Sequence, residues 1–154
     1  MLTNGMFTSE SDTWGTPLGF YLKLDKEFNF QIDLCADKTN YKHEVYYTIE
    51  DDSLSQSWNG IIGYCNPPYG SKIDEWVKKG ATAKNSIIVM LIPARTDTNY
   101  WHDYVIHAKE IRFIKGRLKF EDKYRLPYKS SPFPSAVVIF DGAEHQPLIG
   151  SMTP

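Results

Sequence analysis

The sequence contains few cysteines, no clustered histidines and no long apolar run. Its 154 residues include two cysteines, Cys35 and Cys65, which form no CxxC pair, and four scattered histidines. This composition predicts neither a disulfide framework nor a bound metal. No apolar run approaches the roughly 20 residues of a transmembrane helix, and the first residues show no basic and apolar leader pattern. We therefore expect a cytoplasmic protein without a membrane partner.

The chain also lacks an excess of positive charge. Its formal net charge is −2, which is unlike a dedicated nucleic-acid coat protein, although a local basic surface remains compatible with DNA binding. A hydrophobic content of 42% with 14% aromatic residues indicates a folded globular protein. Residues 1–13 are polar and aperiodic, so we predict a flexible N-terminal arm followed by one catalytic domain over residues 14–154.

Strand and helix patterns alternate through most of the remaining chain. Apolar spacing predicts helices over residues 17–28, 71–80 and 100–108, and β-rich runs predict strands at 30–35, 61–65, 86–92, 111–114 and 136–140. Thr16 and Pro17 suit the N-cap and the first position of the first helix. The pattern predicts an α/β fold with a mostly parallel sheet and helices on both faces, in which the last two strands form an antiparallel pair at one edge.

The most informative stretch is Asn66-Pro67-Pro68-Tyr69, which lies between a predicted strand and a predicted helix. In open α/β sheets this edge is where ligands bind. The stretch resembles the signature of methyltransferases that modify exocyclic amino groups of bases with S-adenosylmethionine. The simpler alternative is a proline-rich turn.

The residue types of this stretch suit amino-group methylation. The lone pair of the adenine N6 amino group is delocalised into the ring, so the group is a poor nucleophile. The Asn66 side-chain oxygen and the Pro67 carbonyl can accept its two hydrogens, which favours a pyramidal nitrogen with an available lone pair. The prolines fix these acceptors in advance, and the Tyr69 ring offers a face for an extruded base. This chemistry needs no metal and no nucleophilic side chain.

Over nearly its whole length the chain resembles phage-type DNA N-6-adenine methyltransferases. The segments that carry the resemblance occur in the family's order: Trp14-Gly15-Thr16-Pro17, Asp33-Leu34-Cys35-Ala36, Asn66-Pro67-Pro68-Tyr69, Ile73 with Trp76-Val77, Leu91-Ile92-Pro93-Ala94-Arg95-Thr96-Asp97-Thr98, Gly116-Arg117-Leu118-Lys119-Phe120 and Pro132-Phe133-Pro134-Ser135. The tetrapeptide is shared with several amino-methylating families, whereas the last three segments are more specific. A phage enzyme of this kind would act in the host cytoplasm, where methylation evades restriction.

The resemblance implies a Rossmann-like methyltransferase fold with S-adenosylmethionine as cofactor and DNA as substrate. It places the catalytic site at Asn66, Pro67, Pro68 and Tyr69. The cofactor-binding residues that it implies are Thr16, Pro17, Asp33, Cys35, Ala36 and Asp52. The chain departs from many such enzymes because no glycine-rich turn follows the first strand. Thr16 could instead cap a helix only, and Asp33 could hydrogen-bond a loop.

Phosphate contacts are predicted at four basic residues. Lys115, Arg117 and Lys119 alternate with Gly116, Leu118 and Phe120, so on an extended strand their charges share one face. Arg95 follows a strand at the presumed ligand edge and could bind phosphate or pair with Asp97. A solvated edge strand is the alternative for the lysine-bearing segment.

These observations predict methylation of adenine N6 in DNA by a base-flipping enzyme. The alternatives are methylation of cytosine N4, of RNA or of a glutamine amide in a protein, and a non-catalytic module that binds DNA or a partner. The recognition sequence and the oligomeric state are not encoded in any pattern that we can interpret.

Overall fold

The computed structural model describes residues 14–122, 124, 126–147 and 150–153, so the predicted arm at residues 1–13 lies outside the described residues. The helices in this part are α1 (Leu18–Phe28), α2 (Ile73–Thr82) and α3 (Asn99–Asp103). The strands are β1 (Ile32–Asp33), β2 (Ile62–Cys65), β3 (Ile87–Pro93), β4 (Glu110–Phe113), β5 (Lys119–Glu121), β6 (Pro127–Ser130) and β7 (Ser135–Phe140). None of the described helices has the length and apolar character needed to cross a membrane.

Five strands form a mixed sheet in the order β1-β2-β3-β7-β4, and β5 and β6 form a separate antiparallel pair. The β1–β2 and β2–β3 pairs are parallel, whereas β3–β7 and β4–β7 are antiparallel. The predicted α/β class and the antiparallel pairing of the last two predicted strands are confirmed. The predicted parallel majority is not, because β7 lies between β3 and β4 and contributes two antiparallel pairings.

The core is centred on β3 and β7. Ile88 to Ile92 are fully buried in β3, and every residue of β7 is buried. Buried strands of this kind form near-continuous runs of branched apolar side chains, as these two do. Helix α2 lies close to this sheet, and a Cβ added at Gly80 would come 2.8 Å from the sulfur of Met90. The absence of a side chain at Gly80 therefore allows the close packing.

Two predicted helix details differ from the structure. Helix α1 begins at Leu18 with Pro17 as its N-cap and no side-chain cap, because the Thr16 hydroxyl instead hydrogen-bonds the Tyr64 hydroxyl at 2.6 Å. The helix predicted over residues 100–108 ends at Asp103, and Val105–His107 continue as a 3₁₀ turn after a break at Tyr104. Apolar spacing alone does not distinguish a continuous helix from two short helical turns.

The parallel strands bring predicted site residues to one edge of the sheet. Asp33 at the end of β1 is in register with Tyr64 in β2, and Asn66 directly follows β2. Strand β3 runs in the same direction and ends at Pro93, just before Arg95. The carboxyl ends of three neighbouring strands therefore converge where a ligand site is expected.

Candidate functional site

A cavity of about 690 Å³ opens at the carboxyl ends of β1 and β2. Its volume falls within the range of small-molecule sites, roughly 300–1,000 Å³. It brings together seven of the predicted residues: Thr16, Asp33, Cys35, Ala36, Asp52, Asn66 and Pro68. The predicted residues outside its lining are Pro17, Pro67, Tyr69, Arg95, Lys115, Arg117 and Lys119. The cavity thus joins most of the implied cofactor residues to the first residue of the tetrapeptide.

Asp33 forms part of the cavity wall and also organises the loop after β1. Its two carboxylate oxygens accept the backbone N–H groups of Cys35 at 3.3 Å and Lys42 at 3.0 Å. The side chain is buried, and this desolvation raises the pKa of its carboxyl group to about 7 despite the two hydrogen bonds. The loop-bonding alternative is confirmed, and contact with a ligand stays a prediction.

Burial also raises the pKa of the Cys35 thiol, with the Asp33 carboxylate adding to the effect. A raised pKa favours the protonated thiol of this cysteine over the nucleophilic thiolate. Its position in the cavity lining suits a contact surface rather than covalent chemistry.

Tyr64 forms a buried part of the cavity wall that the sequence analysis missed. Its hydroxyl bonds Thr16, and burial raises the pKa of this phenol. A sequence signal existed, because Tyr64 precedes Asn66 by two positions, the spacing at which extended residues share a face. Other lining residues that were not predicted include Trp14, Lys42, Tyr47, Thr48 and Trp76.

The segment after Tyr47 supplies a second wall of the cavity. Asp52 adopts a left-handed conformation, with φ of 48°, and is exposed at the cavity. Ser53 beside it is buried, and its hydroxyl has no hydrogen-bond partner among the described residues. Buried hydroxyl groups are normally satisfied, but the Ser53 oxygen is itself shielded from the cavity, so it would meet a ligand only if the side chain turned toward the lining. No sequence pattern pointed to Ser53.

The Asn66 side chain is fixed at both ends of its amide. Its nitrogen donates to the carbonyl of Trp14, and its oxygen accepts the hydroxyl of Tyr69 at 2.5 Å. Tyr69 also hydrogen-bonds the Leu91 carbonyl at 3.2 Å. Because an amide oxygen has two lone pairs, Asn66 keeps capacity for a second donor. None of the described residues donates to the Pro67 carbonyl, which leaves a further acceptor in the same segment.

The Tyr69 ring is not the open face that the sequence predicted. It is only 5% exposed, and Phe120 and Phe133 meet it edge to face with centroids 6.1 and 5.5 Å away. Burial raises the pKa of its hydroxyl, which therefore stays protonated and able to donate. In this conformation Tyr69 acts on Asn66 through its hydroxyl, and stacking of a base on the ring would require its aromatic neighbours to move.

The predicted basic face is not built as expected. Residues 115 and 116 form a bend, with Gly116 at φ of 83°, and extended structure begins only at Lys119. Lys115, Arg117 and Lys119 are all exposed, but only Lys119 lies in a strand. The glycine conformation interrupts the alternation on which that prediction depended.

Arg95 lies beside the aromatic cluster at the carboxyl edge. Its guanidinium carbon is 5.6 Å from the centre of the Phe133 ring, a distance typical of a cation–π contact. The ion pairs formed by the described residues include none between Arg95 and Asp97. The predicted alternative of an Arg95–Asp97 pair is therefore not seen in this part of the chain.

The structure is that of a mixed α/β protein with a cavity of small-molecule size at the carboxyl edge of its sheet. The sequence matches the family described as DNA N-6-adenine-methyltransferase (Dam) over residues 4–151, and the chain belongs to this family. The family resemblance predicted from the motifs is thereby confirmed.

Two phage proteins are similar to this chain, and both are named DNA N-6-adenine-methyltransferase. The protein of Haemophilus phage HP1 is 30% identical over 110 residues, which cover 69% of this chain and 64% of that protein. The protein of Escherichia phage T1 is 31% identical over 112 residues, covering 70% of this chain and 46% of that protein. This chain therefore matches less than two thirds of the length of either relative.

Proposed function

We propose that this protein transfers a methyl group from S-adenosylmethionine to the N6 amino group of adenine in DNA, on a Rossmann-like methyltransferase domain with helices on both faces of the sheet. The observation that carries the proposal is the position of Asn66. Its amide, held by Trp14 and Tyr69, lines a cavity of cofactor size at the carboxyl edge of the sheet. Membership of the family described above supports the same activity.

The chemistry of the cavity fits the proposed cofactor. Leu34, Cys35 and Ala36 provide an apolar wall, and Asp52 provides an exposed carboxylate. Asp33 and Thr16 also line the cavity, and Pro17 follows Thr16 outside the lining. When bound, S-adenosylmethionine supplies an electrophilic sulfonium methyl group for direct in-line displacement. No glycine-rich turn follows β1, so the cofactor would be held between the walls formed by residues 33–40 and by residues 47–50, 52 and 53.

The protein's own part in the reaction is orientation. The Asn66 side-chain oxygen and the Pro67 carbonyl would accept the two N–H groups of the target amine, which leaves its lone pair available. Two prolines and the Tyr69 hydroxyl fix these acceptors before substrate arrives, so little reorganisation is needed during reaction. Since a base inside a duplex cannot reach this edge, the adenine would be flipped out of the helix.

The test of this function uses unmethylated DNA, the protein and S-adenosylmethionine with a labelled methyl group. The DNA is digested to nucleosides and the labelled product is identified. We expect the label in N6-methyl-2′-deoxyadenosine. Label in N4-methyl-2′-deoxycytidine would show that the substrate is cytosine. If parallel assays gave label only with RNA or with protein, the substrate would not be DNA. Cofactor binding without transfer to any substrate would indicate a non-catalytic module.

Replacing Ser53 with alanine tests whether its shielded hydroxyl turns toward a bound cofactor. The hydroxyl has no partner among the described residues, so its removal should not weaken the fold, whereas a cofactor toward which the side chain turns would lose one hydrogen bond. Such a bond contributes about 0.5–1.5 kcal/mol, so calorimetry should detect a fewfold rise in Kd for S-adenosylmethionine. The matched control is Ser135→Ala, since Ser135 is also buried and unpartnered but lies outside the cavity lining. Equal Kd values for S-adenosylmethionine in Ser53→Ala and Ser135→Ala would show that the Ser53 hydroxyl does not contact the cofactor.

Replacing Lys115 and Lys119 together with glutamine should weaken DNA binding similarly for all sequences. Each lost phosphate contact should flatten the slope of log affinity against log salt by up to about 0.9. The control variant changes Lys26 and Lys84, two exposed lysines outside the carboxyl edge, to glutamine. A salt slope equal to that of the control would mean that Lys115 and Lys119 are solvated surface charges that do not contact phosphate. Arg95 would then become the first candidate for a phosphate contact.

A further inference from the structure

Glu121 connects three parts of the chain that are distant in sequence. It ends β5, its Oε1 accepts the Leu18 N–H at 2.8 Å, and its Oε2 pairs with the Lys42 ammonium at 2.7 Å. Its backbone also exchanges two hydrogen bonds with Gly15, at 2.8 and 3.2 Å. We call residues 14–18 the strap. One residue thus fastens the strap, the β5–β6 hairpin and the Lys42 loop to one another.

Lys42 continues this connection to the cavity wall. Its side chain is 3% exposed and that of Glu121 is 12% exposed, so the ion pair is almost fully shielded from water. Lys42 lines the cavity, and its backbone N–H donates to the carboxylate of Asp33. Removing one partner of a buried pair leaves the other charge uncompensated. The pair is therefore sensitive to any movement between the strap and the loop after β1.

The strap also contacts the tetrapeptide directly. The Trp14 carbonyl accepts the Asn66 side-chain N–H, and Thr16 bonds Tyr64 in the strand that leads to Asn66. The strap lies very close to β5, since a Cβ added at Gly15 would come 2.9 Å from the Glu121 carbonyl oxygen. A continuous path of contacts therefore runs from Asp33 through Lys42, Glu121 and the strap to Asn66.

From this path we infer that Lys42 and Glu121 are positioning residues that couple the cofactor cavity to the substrate-binding amide. Their ion pair, which we call the latch, holds the strap against the cavity and thereby fixes the Trp14 carbonyl that orients Asn66. A ligand that orders the Lys42 loop also orders Asn66, and loosening the latch weakens both. The inference rests on the proposed function, because it assigns cofactor to the cavity and the target amine to Asn66.

The first experiment is a double-mutant cycle on ligand binding. Calorimetry measures Kd for S-adenosylhomocysteine, the unreactive demethylated product, in Glu121→Gln, Lys42→Met and the double variant. We expect each single variant to bind about tenfold more weakly, within the usual 5–150-fold range of coupling. The double variant should bind no more weakly than the weaker single variant, because both changes remove the same interaction. Lys42→Arg, which keeps the charge, should recover most of the affinity.

The matched control is Glu110→Gln. Glu110 forms an exposed ion pair with Arg112 at 2.7 Å, lies in β4 and does not line the cavity. The same charge change is thus made in an exposed ion pair whose two members contact neither the strap nor the cavity lining directly. The Glu110→Gln variant should bind S-adenosylhomocysteine with the same affinity as the wild type.

The second experiment reports on the strap without a ligand. The protein has four tryptophans, which can be replaced by 5-fluorotryptophan and observed by fluorine NMR. Trp14→Phe identifies the Trp14 resonance. We expect Glu121→Gln to shift or broaden this resonance, and Glu110→Gln to leave it in place. A general loss of packing would disturb the buried Trp58 and Trp101 resonances as well.

The outcomes separate this inference from the proposed function. Three results would each contradict the latch. The first is additive losses of affinity in the double-mutant cycle, and the second is equal affinity in Glu121→Gln and Glu110→Gln. The third is a Trp14 resonance that does not change in Glu121→Gln. If the wild-type protein did not bind S-adenosylhomocysteine, the proposed function would fail, and the Trp14 resonance would still decide whether the ion pair holds the strap. If Lys42→Met did not fold, Glu121→Gln and Lys42→Arg would carry the same test.

Discussion

Replacing Asn66 with alanine is expected to lower the single-turnover rate of methylation about 10²–10³-fold, the usual effect of losing one preorganised polar contact. The change removes the acceptor proposed for the target amine and also leaves the Trp14 carbonyl and the Tyr69 hydroxyl without their Asn66 partner. The loss should appear in the chemical step, measured with saturating DNA and labelled S-adenosylmethionine.

The affinity of this variant for S-adenosylmethionine separates two causes of the lost rate. We expect Kd to change by only a fewfold, since most of the cavity lining is untouched. Asn66→Asp is a useful companion, because it keeps the acceptor but places a carboxylate oxygen against the Trp14 carbonyl. A single-turnover rate in Asn66→Ala equal to that of the wild type would falsify the proposed role of the amide.

Replacing Tyr69 with alanine is expected to destabilise the whole protein. The ring is 5% exposed and contacts Phe120 and Phe133, so truncation leaves a cavity in the aromatic cluster. Comparable truncations of buried aromatic residues cost about 3–5 kcal/mol. Urea denaturation should show a clearly lower midpoint, whereas Leu22→Ala, at a half-exposed position on α1, should change stability by no more than about 0.5 kcal/mol.

Tyr69→Phe then isolates the hydroxyl from the ring. It keeps the packing but removes the donor to Asn66 and Leu91, so the free energy of unfolding should fall by about 0.5–1.5 kcal/mol. Because Asn66 loses one of its two constraints, turnover should also fall, up to about 10²-fold if the amide is displaced. Full activity in this variant would assign the contribution of Tyr69 to its ring alone.

Contacts set by strand order could be predicted from the sequence. Asp33 and Asn66 each follow a predicted strand, and parallel pairing of β1 with β2 is enough to bring them to one edge. The apolar run of β3 and the amphipathic spacing of α2 were also predicted, because burial imposes those periodicities directly. The class of fold and the position of the cavity followed from these local patterns.

Contacts that depend on long-range packing could not be predicted. Thr16 resembles a helix cap by its neighbours, but its partner is Tyr64, 48 positions away. Tyr69 belongs to a motif that suggested an open ring, yet Phe120 and Phe133 cover it. The same holds for Glu121, whose ion pair with Lys42 spans 79 positions. Local sequence does not encode which distant segment will meet a side chain.

The placement of β7 between β3 and β4 has a consequence for synthesis of the chain. Strand β3 is complete at Pro93, but its second neighbour begins only at Ser135. Until the ribosome has released that region, a nascent chain exposes the unpaired edge of its most apolar strand. Such edges promote aggregation, and pairings between distant segments form slowly. We therefore expect chains truncated before residue 135 to be insoluble, and expression of the intact protein to improve at lower temperature, where synthesis and aggregation slow down.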